Sequence, residues 1–158
     1  MNTTRQFCTF NLGDQYFGID VLQVREIVRP QPITMVPLAP PAIRGLINLR
    51  GQIVTAIDPR RRLNLAERES RVTKPAAAPL NVVVNTDEGW ISLLVDEIGD
   101  VLTLPDEDFE PPPRTMSAES RELILGAYKL PERLLIILDV ERLAKIPIQQ
   151  PTSSSTVL

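Results

Sequence analysis

The densest set of groups that could move protons is Asp106-Glu107-Asp108, with Glu110 close behind. Neighbouring carboxylates do acid–base chemistry when a shielded pocket raises the pKa of one and leaves the other ionised. These four are flanked by Pro105 and by Pro111-Pro112-Pro113, which hold the backbone out of helices and central strands. That setting predicts a solvated acidic loop. A small carboxylate-dependent enzyme is the competing reading, and it requires a deep pocket lined by two such groups. Other catalytic ingredients are missing. With no histidine in the chain, Ser–His and Cys–His nucleophile pairs, imidazole bases and most zinc sites are excluded. The seven glycines are scattered singly, so there is neither a phosphate-cradling loop nor a dinucleotide fingerprint. Cys8 stands alone and alternates with Phe10 and Leu12, which makes it a small core residue in a reduced protein. The sequence therefore reads as non-catalytic, with no cofactor and no metal.

The remaining chemistry is recognition by charge. A net charge of -3 gives no broad reason to bind nucleic acid or an anionic membrane. The one basic run, Arg60-Arg61-Arg62, reads more simply as a solvated turn than as a phosphate patch. No apolar run has the length to cross a bilayer, and no secretory leader is visible, so a soluble cytoplasmic protein without direct membrane insertion is expected. One cation is harder to explain. The stretch GLINLRGQIVTAID (45–58) reads as two apolar strands with Arg50-Gly51 at the bend, Gly51 supplying the positive φ of a tight hairpin.

The elements that must position these groups are short strands. A hydrophobic fraction of 43% with only 4% aromatics calls for a core of Val, Ile and Leu. Alternation predicts strands at 7–12 and 16–19 around a Gly13-Asp14 turn. Asp20, with Gln23 three residues on, predicts a helical turn that Pro30 and Pro32 end. Strands follow at 43–49 and 52–57, then a turn of helix capped by Asp58 with Pro59 at its first position. Residues 66–79 lose periodicity and read as a linker. The strand pattern restarts at 80–85, 90–95, 101–104, 124–130 and 133–138. Asp139 caps a last turn of helix, and 149–158 is a Ser/Thr-rich tail expected to be disordered.

The restart is a repeat. IRGLINLRGQIVTAID (43–58) aligns without a gap on ILGAYKLPERLLIILD (124–139), matching Gly45 to Gly126, Leu49 to Leu130 and Asp58 to Asp139. Earlier, GID (18–20) matches LVD (94–96). Two copies of a short-stranded unit read as a mainly β fold of two packed five-stranded barrels with short capping helices. The expected division is a first barrel at 14–65, the linker at 66–79 and a second barrel at 80–148, with the N-terminal strand open to sharing. Each barrel alone has a marginal core, so burial between them should matter.

Four segments, in this order and spacing, resemble the CheW family of chemotaxis coupling proteins: FGIDVLQVREI (17–27), VPLAPPAIRGLINLRGQIVTAID (36–58), LLVDEIGDVLTL (93–104) and ILGAYKLPERLLIILD (124–139). The resemblance covers about Gln6 to Lys145. It implies a non-enzymatic adaptor with two partners, the regulatory domain of a CheA-type histidine kinase and the cytoplasmic coiled-coil tip of a chemoreceptor. Other copies of the adaptor, assembled in rings, are a further expected partner. It implies a place at the inner face of the membrane, within receptor arrays. The same domain also serves non-flagellar pathways such as twitching motility, and the sequence does not choose between them. By matching positions, the resemblance assigns Val24, Glu26, Ile27, Arg50 and Ile98 to receptor binding. Val24 and Ile98 read equally well as ordinary core, and no kinase-contact residues are assigned. On this reading Arg50 approaches Glu26, and the pair lies at the seam between the barrels.

Overall fold

A computed structural model describes residues 3–65 and 78–146 of the chain. The expected tail at 149–158 and nearly all of the expected linker fall outside the described residues. The strands are β1 (Thr4–Leu12), β2 (Gln15–Asp20), β3 (Val24–Val28), β4 (Ile43–Leu49), β5 (Gln52–Ile57), β6 (Leu80–Thr86), β7 (Gly89–Val95), β8 (Glu97–Pro105), β9 (Ile124–Lys129) and β10 (Leu134–Leu138). The helices are single turns: α1 (Pro59–Arg62), α2 (Ala118–Arg121) and α3 (Val140–Ala144). Asp20 caps the backbone N–H of Leu22, as its position suggested, but the turn it opens ends at Gln23. From Val24 the chain is strand, because the β-branched, alternating Val24–Val28 has a sheet to join.

There are two five-stranded sheets, ordered β8-β1-β2-β10-β9 and β3-β6-β7-β5-β4. Each is curled and brought towards closure by one bridge. After edge strand β3, Thr34 exchanges two backbone hydrogen bonds of 2.8 Å with Leu46 on the opposite edge strand β4. After edge strand β8, Glu110 does the same with Ala127 on β9, at 2.9 Å. The repeat-matched glycines make room for both bridges. A Cβ on Gly45 would lie 2.3 Å from the Thr34 carbonyl oxygen, and one on Gly126 would lie 2.4 Å from that of Glu110.

The repeat is thus visible in three dimensions, but the barrels do not divide the chain at 66–79. One sheet takes the β1–β2 hairpin from the first half and β8, β9 and β10 from the second. The other takes β3, β4 and β5 from the first half and the β6–β7 hairpin from the second. The two halves have exchanged their leading hairpins. Parallel pairs complete the exchange, β10 with β2 and β5 with β7. The expected 14–65 and 80–148 barrels are corrected accordingly. Alternation identifies a hairpin, but a hairpin is equally paired within itself whichever sheet it enters. The chain passes between sheets at two aspartates, Asp20 between β2 and β3 and Asp96 between β7 and β8. Asp96 accepts from the Gly13 N–H at 2.7 Å, and its own N–H donates to the Asn11 carbonyl at 3.1 Å.

Three apolar clusters result. Phe7, Tyr16, Tyr128, Leu135 and Ile137 fill one barrel, with Phe109 and Leu130 packed against them. Ile47, Leu49, Val54, Ala56, Val83 and Leu94 fill the other. They are called here the aromatic and the aliphatic barrel. The third and largest cluster lies between the sheets and draws Phe10, Phe17 and Leu138 from one and Ile57, Val82 and Leu93 from the other. Burying this much aliphatic and aromatic surface at the seam is what makes the two marginal barrels one folding unit.

Candidate functional site

The hairpin joining β4 and β5 turns on two residues with positive φ, Arg50 at 50° and Gly51 at 89°. Positive φ at both central positions matches the right-handed twist of the flanking strands. Glycine tolerates it freely, whereas arginine does not. The turn is held by Asn48, whose side-chain oxygen accepts from the Gly51 N–H at 2.8 Å. With its backbone fixed this way, Arg50 sends its guanidinium across the barrel mouth to Glu26 on β3. One nitrogen donates to Oε1 at 3.0 Å and the other to Oε2, a two-pronged match of planar fork to carboxylate.

The pair is therefore real, but its place differs from the expectation. Glu26 lies opposite Val83 of the aliphatic-barrel core, and β3 and β4 are the two edges of that sheet. The ion pair closes the open side of one barrel; it does not lie at the seam between two. Alternation marked Glu26 as half-exposed but could not reveal that edge strands distant in sequence meet there. The hydrogen bond from Arg50, aided by the charge of Arg25, holds the Glu26 carboxyl below the ordinary glutamate range. Arg50 remains two-thirds exposed at 67%.

The other assigned residues separate from this pair. Val24 and Ile98 are partly buried and pack against the inter-barrel cluster. Ile27 lies opposite Val82 of that cluster yet is 45% exposed, so it stands at the cluster's rim. The five residues thus form an ion pair at one barrel mouth and an aliphatic group bordering the seam. A β-bulge in β3 joins the two: the register shifts between Val24 and Glu26, against Val84 and Val83. Because of the extra residue, Arg25 as well as Glu26 serves the mouth. The Arg25 guanidinium lies over the Trp90 ring, 3.6 Å from its centroid. Sequence reasoning passed over Arg25 and Trp90. Their separation of 65 positions hides the contact, and the bulge that creates it has no glycine to mark it.

The basic run is not the solvated turn its composition suggested. Arg62 donates to the carbonyls of Arg142, Leu143 and Lys145 at 3.0, 3.3 and 3.0 Å, capping the C-terminus of α3 from the opposite barrel. Arg60 pairs with Asp96, and Arg61 lies 3.7 Å from Asp58. Of the acidic group, Asp106 is tied down. It accepts from the Thr3 hydroxyl at 2.7 Å and from Arg5 at 3.0 Å, and these bonds hold its carboxyl below the ordinary aspartate range. That shift is opposite to the one a general acid needs. A cleft of about 790 Å³ opens between α1 and α2, lined by Leu63, Asn64, Met116, Leu134 and Ile136 among others. Glu119 is the one carboxylate in its lining.

The comparisons agree with this architecture. A family model described as "CheW-like domain" matches residues 6–147. The chain is 33% identical over 139 residues to a "Chemotaxis protein CheW" of Klebsiella aerogenes, covering 88% of this chain and 81% of that protein. It is 32% identical over 157 residues to a "Chemotaxis protein CheW" of Bacillus subtilis, covering 99% and 95%. The crystal structure of "scaffolding protein TtCheW" from Thermoanaerobacter tengcongensis superposes with a TM-score of 0.77 at 25% identity, over 91% of this chain and 94% of that one.

Proposed function

The chain belongs to the CheW family of chemotaxis scaffold proteins, and from that premise we propose that it is a non-catalytic adaptor coupling a chemoreceptor to a CheA-type histidine kinase. The observation that carries the reading is the Glu26–Arg50 pair: preformed, two-pronged and open to solvent on the Arg50 side. A surface pair of this kind adds little to folding. It becomes valuable when a partner removes water from it, because each charge is then already matched. The receptor tip, a helical hairpin, lies against this mouth and against the aliphatic side chains Val24, Ile27 and Ile98, a helix-in-groove contact. The kinase regulatory domain packs barrel against barrel, and both barrels offer exposed aliphatic surface for it: Met35, Leu38 and Ile53 on one, Val101 and Leu125 on the other. The protein works in the cytoplasm at the inner face of the membrane. Among the described residues no helix is long and apolar enough to cross it.

The test is reconstitution. Kinase autophosphorylation is measured with receptor-containing membranes, with and without this protein. Stimulation that depends on the protein and is lost in Glu26→Ala supports the proposal. Equal kinase output in its presence and absence refutes it.

A further inference from the structure

The chain is acidic overall, at -3, but the mouth of the aliphatic barrel reverses that balance. Two guanidiniums, Arg25 and Arg50, stand there around one carboxylate, Glu26. Arg50 is satisfied, since its fork is filled by Glu26. Arg25 is held differently. Its guanidinium lies over the indole of Trp90 at 3.6 Å, and among the described residues it forms no ion pair and no hydrogen bond. Stacking engages the face of a guanidinium and leaves its N–H donors, which point outward in the plane, open to solvent and to a partner. The ring also fixes the fork, so little side-chain freedom is left to lose when an acceptor arrives.

We propose that Arg25, stacked on Trp90, binds a carboxylate side chain of the partner docking at the Glu26–Arg50 pair: an acidic residue on the receptor helix. Trp90 is its positioning residue. This rests on the receptor reading above and extends it to two residues that the family resemblance did not assign. A carboxylate fits the local charge. The mouth carries a single net positive charge, which one carboxylate neutralises, whereas a phosphate dianion would crowd the Glu26 carboxylate with excess negative charge. Both arginines then hold one carboxylate each, one from this chain and one from the partner. Arg50 secures the preformed pair, and Arg25 selects among helices by their acidic residues.

Trp90 is the only tryptophan in the chain, so its fluorescence reports on this site alone. The probe is a tryptophan-free helical hairpin from the signalling tip of a chemoreceptor of the same cell. Binding to the unaltered protein is expected to shift Trp90 emission. Arg25→Ala should weaken binding about tenfold and flatten its salt dependence, as loss of one charge-assisted contact does. Arg25→Glu should weaken it further, and affinity should return when one acidic residue of the hairpin is changed to Lys. Trp90→Leu should match Arg25→Ala in affinity, while Trp90→Phe, which keeps a ring face, should retain most of the binding. The proposal is overturned if Arg25→Ala and Arg25→Glu bind as the unaltered protein does while Glu26→Ala does not; the receptor reading would then survive alone. If the unaltered protein fails to bind the hairpin at all, the receptor reading falls and this proposal with it.

Discussion

The two barrels share a topology strand for strand, and they close by different physics. Both have the bridge that joins their edges, and at repeat-matched positions both have the strand residue it reaches, the glycine pressed beneath it, and a helix-capping aspartate: Leu46, Gly45 and Asp58 in one, Ala127, Gly126 and Asp139 in the other. Beyond these the two diverge. The aromatic barrel is closed from inside. Phe109 lies against Tyr128 with ring centroids 5.3 Å apart, and Arg5 sits over Phe7 and Phe109 while bonded to Asp106. Where the repeat puts Arg50, this barrel has Pro131. The aliphatic barrel is closed at its mouth by the exposed Glu26–Arg50 pair, with Arg25 on Trp90 beside it. Buried rings offer a partner nothing to recognise, whereas aligned charges at a mouth do. Duplication followed by divergence has left one barrel closed by packed rings and the other closed by an exposed pair of charges.

Breaking the exchange that ties the barrels together should have the largest effect. Residues 1–65 and 78–158, made as separate polypeptides, each hold incomplete portions of both sheets. Neither should show a cooperative unfolding transition alone, and mixing them should restore one. A half that folds by itself would overturn the strand exchange.

Substitution at the shared closure comes next. Gly45→Ala and Gly126→Ala each force a Cβ against a backbone carbonyl, and overpacking of that kind, with positive φ added at Gly45, should cost about 2–4 kcal/mol. Urea denaturation should find both variants destabilised by similar amounts. If only one is affected, the matched bridges do not do matched work.

A smaller loss is expected where the repeat is asymmetric. Arg62 corresponds to the buried Leu143 and crosses to the carbonyls of α3. Arg62→Ala should cost about 1–3 kcal/mol, because it strips donors from the last turn of that helix. Arg62→Lys should recover only part of this, since one ammonium cannot span three carbonyls as the planar fork does. Full recovery by lysine would show that charge alone matters there.

The smallest effect on folding belongs to the pair that distinguishes the barrels, whose loss should be read in binding instead. Glu26→Ala and Arg50→Ala should leave the unfolding midpoint unchanged within error while each weakens receptor binding about tenfold. The double variant should be no worse than either single one, because each already breaks the same pair. Additive losses would mean that the two residues act separately. Acid supplies an independent check. Glu26 has a folded-state pKa below its unfolded value, so the pair's contribution is fully present above the unfolded pKa. It is lost as pH falls from the unfolded pKa through the folded one. An NMR titration of the Glu26 side-chain carboxyl should show a depressed midpoint that returns to the ordinary range in Arg50→Ala.

Local chemistry was legible in the sequence because its causes are local. The period-two alternation of Cys8, Phe10 and Leu12 marked a strand whose inner face is buried. Asp58-Pro59 and Asp139 marked helix starts because an aspartate side chain reaches amides only two or three residues away. Gly51 marked a turn because φ there is 89°. The gapless match of 43–58 to 124–139 marked duplication. The Glu26–Arg50 pairing came from the family resemblance, not from spacing. What the tertiary structure decided is everything that depends on which strand edges meet: that the hairpins change barrels at Asp20 and Asp96, that Glu26 and Arg50 close one barrel instead of bridging two, that a bulge turns Arg25 onto Trp90, and that Arg62 caps a helix 80 residues away. A strand's alternation specifies which face it buries but leaves open which edge it pairs with. That choice was made by the central cluster, where Phe10, Phe17 and Leu138 from one sheet pack against Ile57, Val82 and Leu93 from the other, because in the exchanged arrangement both leading hairpins contribute to that buried seam.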